Sequence, residues 1–270
     1  MKKNNEIAGF TLIELAIVIA IIAFIISAVV FATMARIDAS RIYSTKSKMQ
    51  IIADALENYV QLYGHLPCPA DPTVFRTDPN YGWATGTNTG TCSKAVNIGT
   101  LTSGSRIVRG MVPFKNLFPE LDSQATVDGW GNRFTYIVTE RYTSTLYYSG
   151  VEPNFYHPST EQGKTYVICR RNNGSCASST YNLVVNNSVN KRGDVAYILF
   201  SSGPTGHASH KDKNPTTIQS NNLGLSVHDK ENGDFTSDGN TYVQNIQTSD
   251  YQDILIFRNR WQLKQYLNGN

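Results

Sequence analysis

Glu14 is the only ionisable side chain between Phe10 and Ala35, in an otherwise unbroken apolar run. A carboxylate in a segment fit for lipid costs several kcal/mol, so it is expected to be there for a reason. The chemistry it offers is charge pairing. Gly9 stands five residues ahead of it, after a short leader bearing Lys2 and Lys3, and Phe10 follows. The four cysteines, Cys68, Cys92, Cys169 and Cys176, all lie beyond the run. An even count in an exported domain reads as disulfides. Three pairings are possible, and chain locality favours Cys68–Cys92 and Cys169–Cys176. Zinc is the rival, but no CxxC spacing occurs and the histidines are scattered. Catalysis finds no support, because His65, His157, His207, His210 and His228 stand in no nucleophilic or metalloprotease pattern and read as surface residues. The loop Ser202–Gly206 contains glycine but lacks the lysine of a phosphate loop. An acidic stretch, Asp229, Glu231, Asp234 and Asp238, precedes Asp250 and Asp253 and offers oxygens for calcium, without the EF-hand spacing. A solvated loop is its default reading. No cofactor is expected, with Asp250 and Asp253 kept as calcium candidates. A net charge of +3 is too mild to argue for nucleic acid. The basic pairs Arg106/Arg109, Arg170/Arg171, Lys191/Arg192 and Lys211/Lys213 read as solvated surface, and DNA is not an expected partner.

The elements that must carry these residues begin with a helix. Phe10 to Ala35 is about 26 residues, roughly 39 Å of helix against a hydrocarbon core near 30 Å. Lys2 and Lys3 precede it and Arg36 and Arg41 follow. A cleaved signal peptide is the bland alternative, but its apolar core spans about 7–15 residues. A plain single-pass anchor leaves Gly9 and Glu14 unexplained. Beyond the run, Ile42, Met49, Ile52, Leu56, Tyr59 and Tyr63 recur at helical spacing, with Lys46, Lys48, Asp54, Glu57 and Gln61 assigned to the outward face. Gly64 and Pro67 read as the stop.

The remaining 200 or so residues suffice for one sizeable core. Abundant tyrosine, fifteen in all, and a charged fraction of only 17% suit an extracytoplasmic β-rich domain. Strands are predicted at Phe134–Glu140, Thr165–Arg170, Asn182–Val185, Ala196–Ser201 and Ile254–Arg258. A short helical or turn segment is expected over Val112–Leu117. Gly203–Gln247 is the least regular stretch and is expected to loop back over the sheet.

The hexapeptide Gly9-Phe10-Thr11-Leu12-Ile13-Glu14 resembles the processing site of type IV prepilins and type II secretion pseudoprepilins. The resemblance implies an α+β pilin fold, a long N-terminal helix packed on an antiparallel β-sheet. It divides the chain into a leader (1–9), a membrane and filament-core half-helix (10–35), an amphipathic half-helix (36–64) and an extracytoplasmic domain (65–270). It further implies cleavage after Gly9 by prepilin peptidase, N-methylation of Phe10, and a register role for Glu14 against the Phe10 amine of a neighbouring subunit. The implied partners are other pilin or pseudopilin subunits, an inner-membrane assembly platform and the bilayer. The implied location is the bacterial inner membrane, with the C-terminal domain in the periplasm, and then the filament. Many pilins carry a proline in the apolar run; this chain has none from Phe10 to Leu66.

Leu66-Pro67-Cys68-Pro69-Ala70 looks like the LPCPA signature of a prepilin-like subgroup. Val112-Pro113-Phe114, Asp128-Gly129-Trp130-Gly131-Asn132, Phe200-Ser201-Ser202-Gly203-Pro204-Thr205-Gly206 and Asp253-Ile254-Leu255 continue the likeness. By plain structural reading, Asp128–Asn132 is a turn whose Trp130 caps the core. Calcium near Asp253 would be implied by likeness to major pseudopilins, and the chain's length implies a minor or specialised subunit. The expected function is therefore structural and non-enzymatic, with a filament-tip binding module using Gly203–Gln247 as the alternative.

Overall fold

The computed structural model describes residues 11–86, 91–100, 106–117, 123–144, 167–170, 183–185, 188–190, 195–219, 229, 232–233, 241–244, 251–259, 262–263 and 265. Two compact units emerge, residues 1–43 and residues 44–270. Helix α1, Leu12–Tyr63, runs through both.

In the first unit α1 carries apolar side chains almost without interruption, and Leu12, Phe24, Val29 and Met34 are among the many that are exposed. The hydroxyls of Ser27 and Thr33 donate to the carbonyls of Phe24 and Val29 at 2.8 and 2.7 Å. Such back-bonding satisfies a hydroxyl inside an apolar helix and softens it locally. Among the described residues no helix is long and apolar enough to cross a membrane. The apolar run of the sequence itself continues to Ala35.

In the second unit the last turns of α1 bury Thr45, Met49, Ile52, Ala53, Leu56 and Val60. The helical stripe read from the sequence is right at Met49, Ile52 and Leu56. It misplaces Tyr63, which is 56% exposed, and Glu57, which is buried. Glu57 turns inward because Arg258, far along the chain, meets it at 2.5 Å. Lys48 also leaves the outward face, donating to the Val127 carbonyl at 3.0 Å. The helix stops at Gly64, whose φ of 71° and N–H···O bond to Val60 (2.7 Å) form a left-handed C-cap.

The sheet has the order β1-β2-β3-β7-β11, with every neighbouring pair antiparallel. Its strands are Val96–Thr100 (β1), Arg106–Met111 (β2), Thr135–Thr139 (β3), Val195–Ser201 (β7) and Ile254–Asn259 (β11). Smaller pairs surround it. Strand β4 (Val167–Arg170) lies parallel to β10 (Thr241–Gln244), β5 (Leu183–Val185) antiparallel to β6 (Ser188–Asn190), and β8 (His210–Lys211) antiparallel to β9 (Asn214–Ile218). Helix α2 is the single turn Phe114–Leu117, where the sequence predicts one.

Register separates the two faces of the main sheet. Tyr136 opposes Leu199 and Ile256 opposes Leu199 from the other side, while Arg258 opposes Tyr197. This face meets α1, where the Tyr197 hydroxyl lies 3.4 Å from the Ala53 carbonyl. On the other face Arg109 opposes Ile137, Ile137 opposes Ile198, and Phe200 opposes Leu255. There Tyr242 joins Ile107, Ile137, Ile198, Phe200 and Leu255 in one buried cluster. Both faces are therefore covered, which is why β3 and β7 are buried at every position and read as continuous apolar runs. Of the Gly203–Gln247 stretch, Tyr242 lies in the cluster over the sheet and the Ala208 carbonyl accepts from Arg109 of β2. The stretch is more regular than expected, because β8, β9 and β10 lie within it.

Candidate functional site

Thr11 and Glu14 form a reciprocal cap at the start of α1. One Glu14 carboxylate oxygen accepts from the Thr11 backbone N–H and hydroxyl, both at 2.9 Å, and the Thr11 hydroxyl accepts from the Glu14 N–H at 3.3 Å. A Thr-x-x-Glu box of this kind satisfies orphan donors of the first turn. The acid the sequence singles out is thus held by its own helix start, on an exposed site. Gly9 and Phe10 lie outside the described residues.

The segment leaving α1 is fastened to the sheet through its backbone. Leu66 N–H donates to the Tyr142 carbonyl at 2.8 Å, and Ala70 and Met111 exchange both their backbone bonds at 2.8 Å. The Tyr136 hydroxyl reaches the Pro67 carbonyl at 3.2 Å. The close approach needs Gly110, where a Cβ would stand 2.5 Å from the Ala70 oxygen. Within this segment Cys68 is bonded to Cys92, with Cα atoms 5.5 Å apart. Glu140 accepts from the Cys92 N–H at 2.9 Å and is paired with Arg106, whose Nε lies 2.7 Å away. Cys169 contributes backbone to β4; Cys176 lies outside the described residues.

Asp128 joins two of the sequence motifs. One carboxylate oxygen accepts from the backbone of Trp130 (2.9 Å) and Asn132 (2.8 Å). The other accepts from the Asn132 amide (2.9 Å) and the Ser201 hydroxyl (2.8 Å). Asn132 in turn donates to the Gly203 carbonyl at 2.8 Å, and the Gly129 N–H donates to Thr45 on α1 at 2.9 Å. Gly131 holds φ at 80°, the left-handed turn that lets the loop close on the carboxylate. Burial raises the Asp128 pKa, while these hydrogen bonds oppose the rise. Trp130 is half-buried, and the buried Asp128 organises the turn beneath it.

Several residues read as surface are inside. Arg109 is 6% exposed and donates to the Ala208 carbonyl. Its place amid the apolar letters of β2 is the one sequence signal of that burial. His65, His207 and His210 are half-buried, and His65 packs edge-on against Tyr59 at 5.6 Å. His157 and His228 lie outside the described residues. Asp253 is buried rather than offered to solvent, and accepts from the Asn232 amide at 2.8 Å. Desolvation, and then the neighbouring Asp229, push its pKa well above the usual carboxylate range. Asp250 lies outside the described residues. Among the described residues no three His, Cys, Asp or Glu side chains converge as a metal group.

No curated protein and no solved structure matches the chain. Residues 4–30 match the family model of the prokaryotic N-terminal methylation motif. That match contains the Gly9–Glu14 hexapeptide and the start of α1, and it supports the chain's place among type IV pilin-like proteins and pseudopilins.

Proposed function

We propose that this chain is a minor or specialised structural subunit of a type IV pilus or type II secretion pseudopilus. The observation that carries the reading is the methylation motif running directly into a long apolar helix. Prepilin peptidase cuts after Gly9 on the cytoplasmic side, and Phe10 becomes the methylated N-terminus. The bilayer holds the helix, with the sheet domain in the periplasm, until the inner-membrane assembly platform extracts it into a filament. Helix packing against sister subunits then replaces lipid. Glu14 exchanges its contact with Thr11 for the amine of a neighbouring Phe10, a pairing whose attraction desolvation largely offsets, so it sets register more than stability. The LPCPA-type segment anchors the helix end to the sheet.

A filament-tip binding role is the second reading; within Gly203–Gln247, Ala208 and Tyr242 are buried, while β9 is exposed at all but one position.

Intact mass of the chain extracted from membranes, with and without reduction, tests the reading. A chain beginning at Phe10 with one added methyl group is the expected result, and Gly9→Ala should leave it uncut. A chain beginning at Arg36 would mean a released domain and would sink the filament assignment.

A further inference from the structure

The net charge of this chain is confined to one short stretch. Residues 36–48 carry Arg36, Arg41, Lys46 and Lys48 against a single acid, Asp38, a net of +3. Beyond residue 48, eighteen basic side chains are matched by eighteen acidic ones. Before residue 36, Lys2 and Lys3 are cancelled by Glu6 and Glu14. The chain's +3 therefore sits wholly on the part of α1 that follows the apolar run.

Three of these cations are presented to the surroundings. Arg36, Arg41 and Lys46 are exposed, whereas Lys48 is engaged by the Val127 carbonyl. Arg36 and Lys46 have no ion-pair or hydrogen-bond partner among the described residues. Arg41 approaches Asp38 at 3.6 Å with both side chains open to solvent, and an exposed pair of that kind holds a guanidinium only weakly. The three stand five residues apart, and each step is about 7.5 Å of rise and about 140° of turn on an α-helix. Cations so placed encircle the helix instead of lining one face.

That geometry decides the class of partner. A neighbouring protein surface meets one side of a helix and cannot engage all three. A second copy of this chain offers no net negative charge beyond residue 48. A phospholipid headgroup layer, by contrast, surrounds any helix that crosses it. The apolar run of about 26 residues is roughly 39 Å long against a hydrocarbon core near 30 Å, so a helix seated in a bilayer brings Arg36 to headgroup level. Tilt, the usual response to a run longer than the core, lowers Arg41 and Lys46 toward the same layer. Long basic side chains also reach back to it. Tyr43, 77% exposed, supplies the aromatic ring favoured at that depth.

We infer that this collar of Arg36, Arg41 and Lys46 binds the phosphates of anionic phospholipids at the membrane surface. The inference rests on the reading that α1 is held in a bilayer. The full chain, reconstituted in phosphatidylcholine vesicles, is probed by electron spin resonance with spin-labelled phosphatidylglycerol and, separately, spin-labelled phosphatidylcholine. The phosphatidylglycerol label should be held at the protein surface at least fivefold more strongly, the factor that about 1 kcal/mol produces. Salt at about 1 M, with a screening length of about 3 Å, should remove the preference. Arg36→Gln/Lys46→Gln should bring it below about twofold. Lys94→Gln/Lys213→Gln, which removes two exposed cations elsewhere, should leave it unchanged. Immobilised lipid of both kinds without preference would overturn the inference and leave the filament assignment standing. So would a preference lost equally in both variants, or in neither. No immobilised lipid at all would overturn both the inference and the bilayer anchoring of α1.

Discussion

Asp253 shows how a single residue can be displaced from its usual chemistry. Its carboxyl is buried beside Asp229, and its folded pKa stands well above 3.8. A raised acid pKa favours the folded state below the unfolded pKa. That advantage is lost as pH rises through the folded value. Asp253→Asn keeps the shape and a donor toward Asp229 without that loss. We expect urea unfolding to show the variant at least as stable as the parent at neutral pH, with the difference shrinking or reversing near pH 4. A variant that is less stable at neutral pH would show the ionised acid to be favourable. At Asp128 the balance differs, because four hydrogen bonds hold the carboxylate. Asp128→Ala should cost about 3 kcal/mol, since it strands the Asn132 amide and the Ser201 hydroxyl together. Chemical denaturation measures this, and a cost below 1 kcal/mol would deny Asp128 its organising role.

Among the elements, the junction after α1 concentrates the constraints. The Cys68–Cys92 bond, with a separation of 24 residues, removes loop-closure entropy equivalent to about 3.5 kcal/mol in the chain-entropy account. Replacing both cysteines by serine should lower the unfolding free energy by about 2–4 kcal/mol, read from denaturant curves without and with reductant. Gly110→Ala should be as damaging, because its new methyl meets backbone rather than a movable side chain. The Glu57–Arg258 pair behaves differently. Removing Arg258 alone leaves a nearly buried carboxylate, whereas a double replacement by Leu and Met leaves apolar surface. Arg258→Met should therefore destabilise more than the double variant, and a double-mutant cycle in urea tests that order.

At the scale of the whole chain, legibility followed how local each cause was. The apolar run, the stripe through Met49, Ile52 and Leu56, the stop at Gly64 and the runs of β3 and β7 are set by neighbours within a few residues. All were readable. Glu57 was misread because the arginine that draws it inward is 201 residues away. Arg109 was misread because charge marks a surface until a partner such as the Ala208 carbonyl is placed. Strands β8 to β10 are short and polar, and only their position over the second sheet face makes sense of them. Of the candidate site, Cys68–Cys92 was legible; the Thr11–Glu14 cap was not read, and Asp128 was noticed as a motif without its role as a hub. The exposed apolar side chains of the first unit also predict behaviour. Detergent removal from the purified full chain should cause self-association visible by light scattering; a monodisperse monomer would contradict the exposed apolar surface.

The fastening of Ala70 to Met111 has a mechanical meaning as well. A pull applied through α1 meets the domain first along the helix itself, at Thr45 and Lys48, and at the helix end it is shared at Leu66–Ala70 by backbone bonds to β2 and by the covalent link to Cys92. Load is thus passed into the middle of the sheet within a few residues of the helix end. Separating the helix from the sheet by traction would require breaking the contacts of Thr45, Lys48, Ala53 and Glu57 before the full load reached that joint.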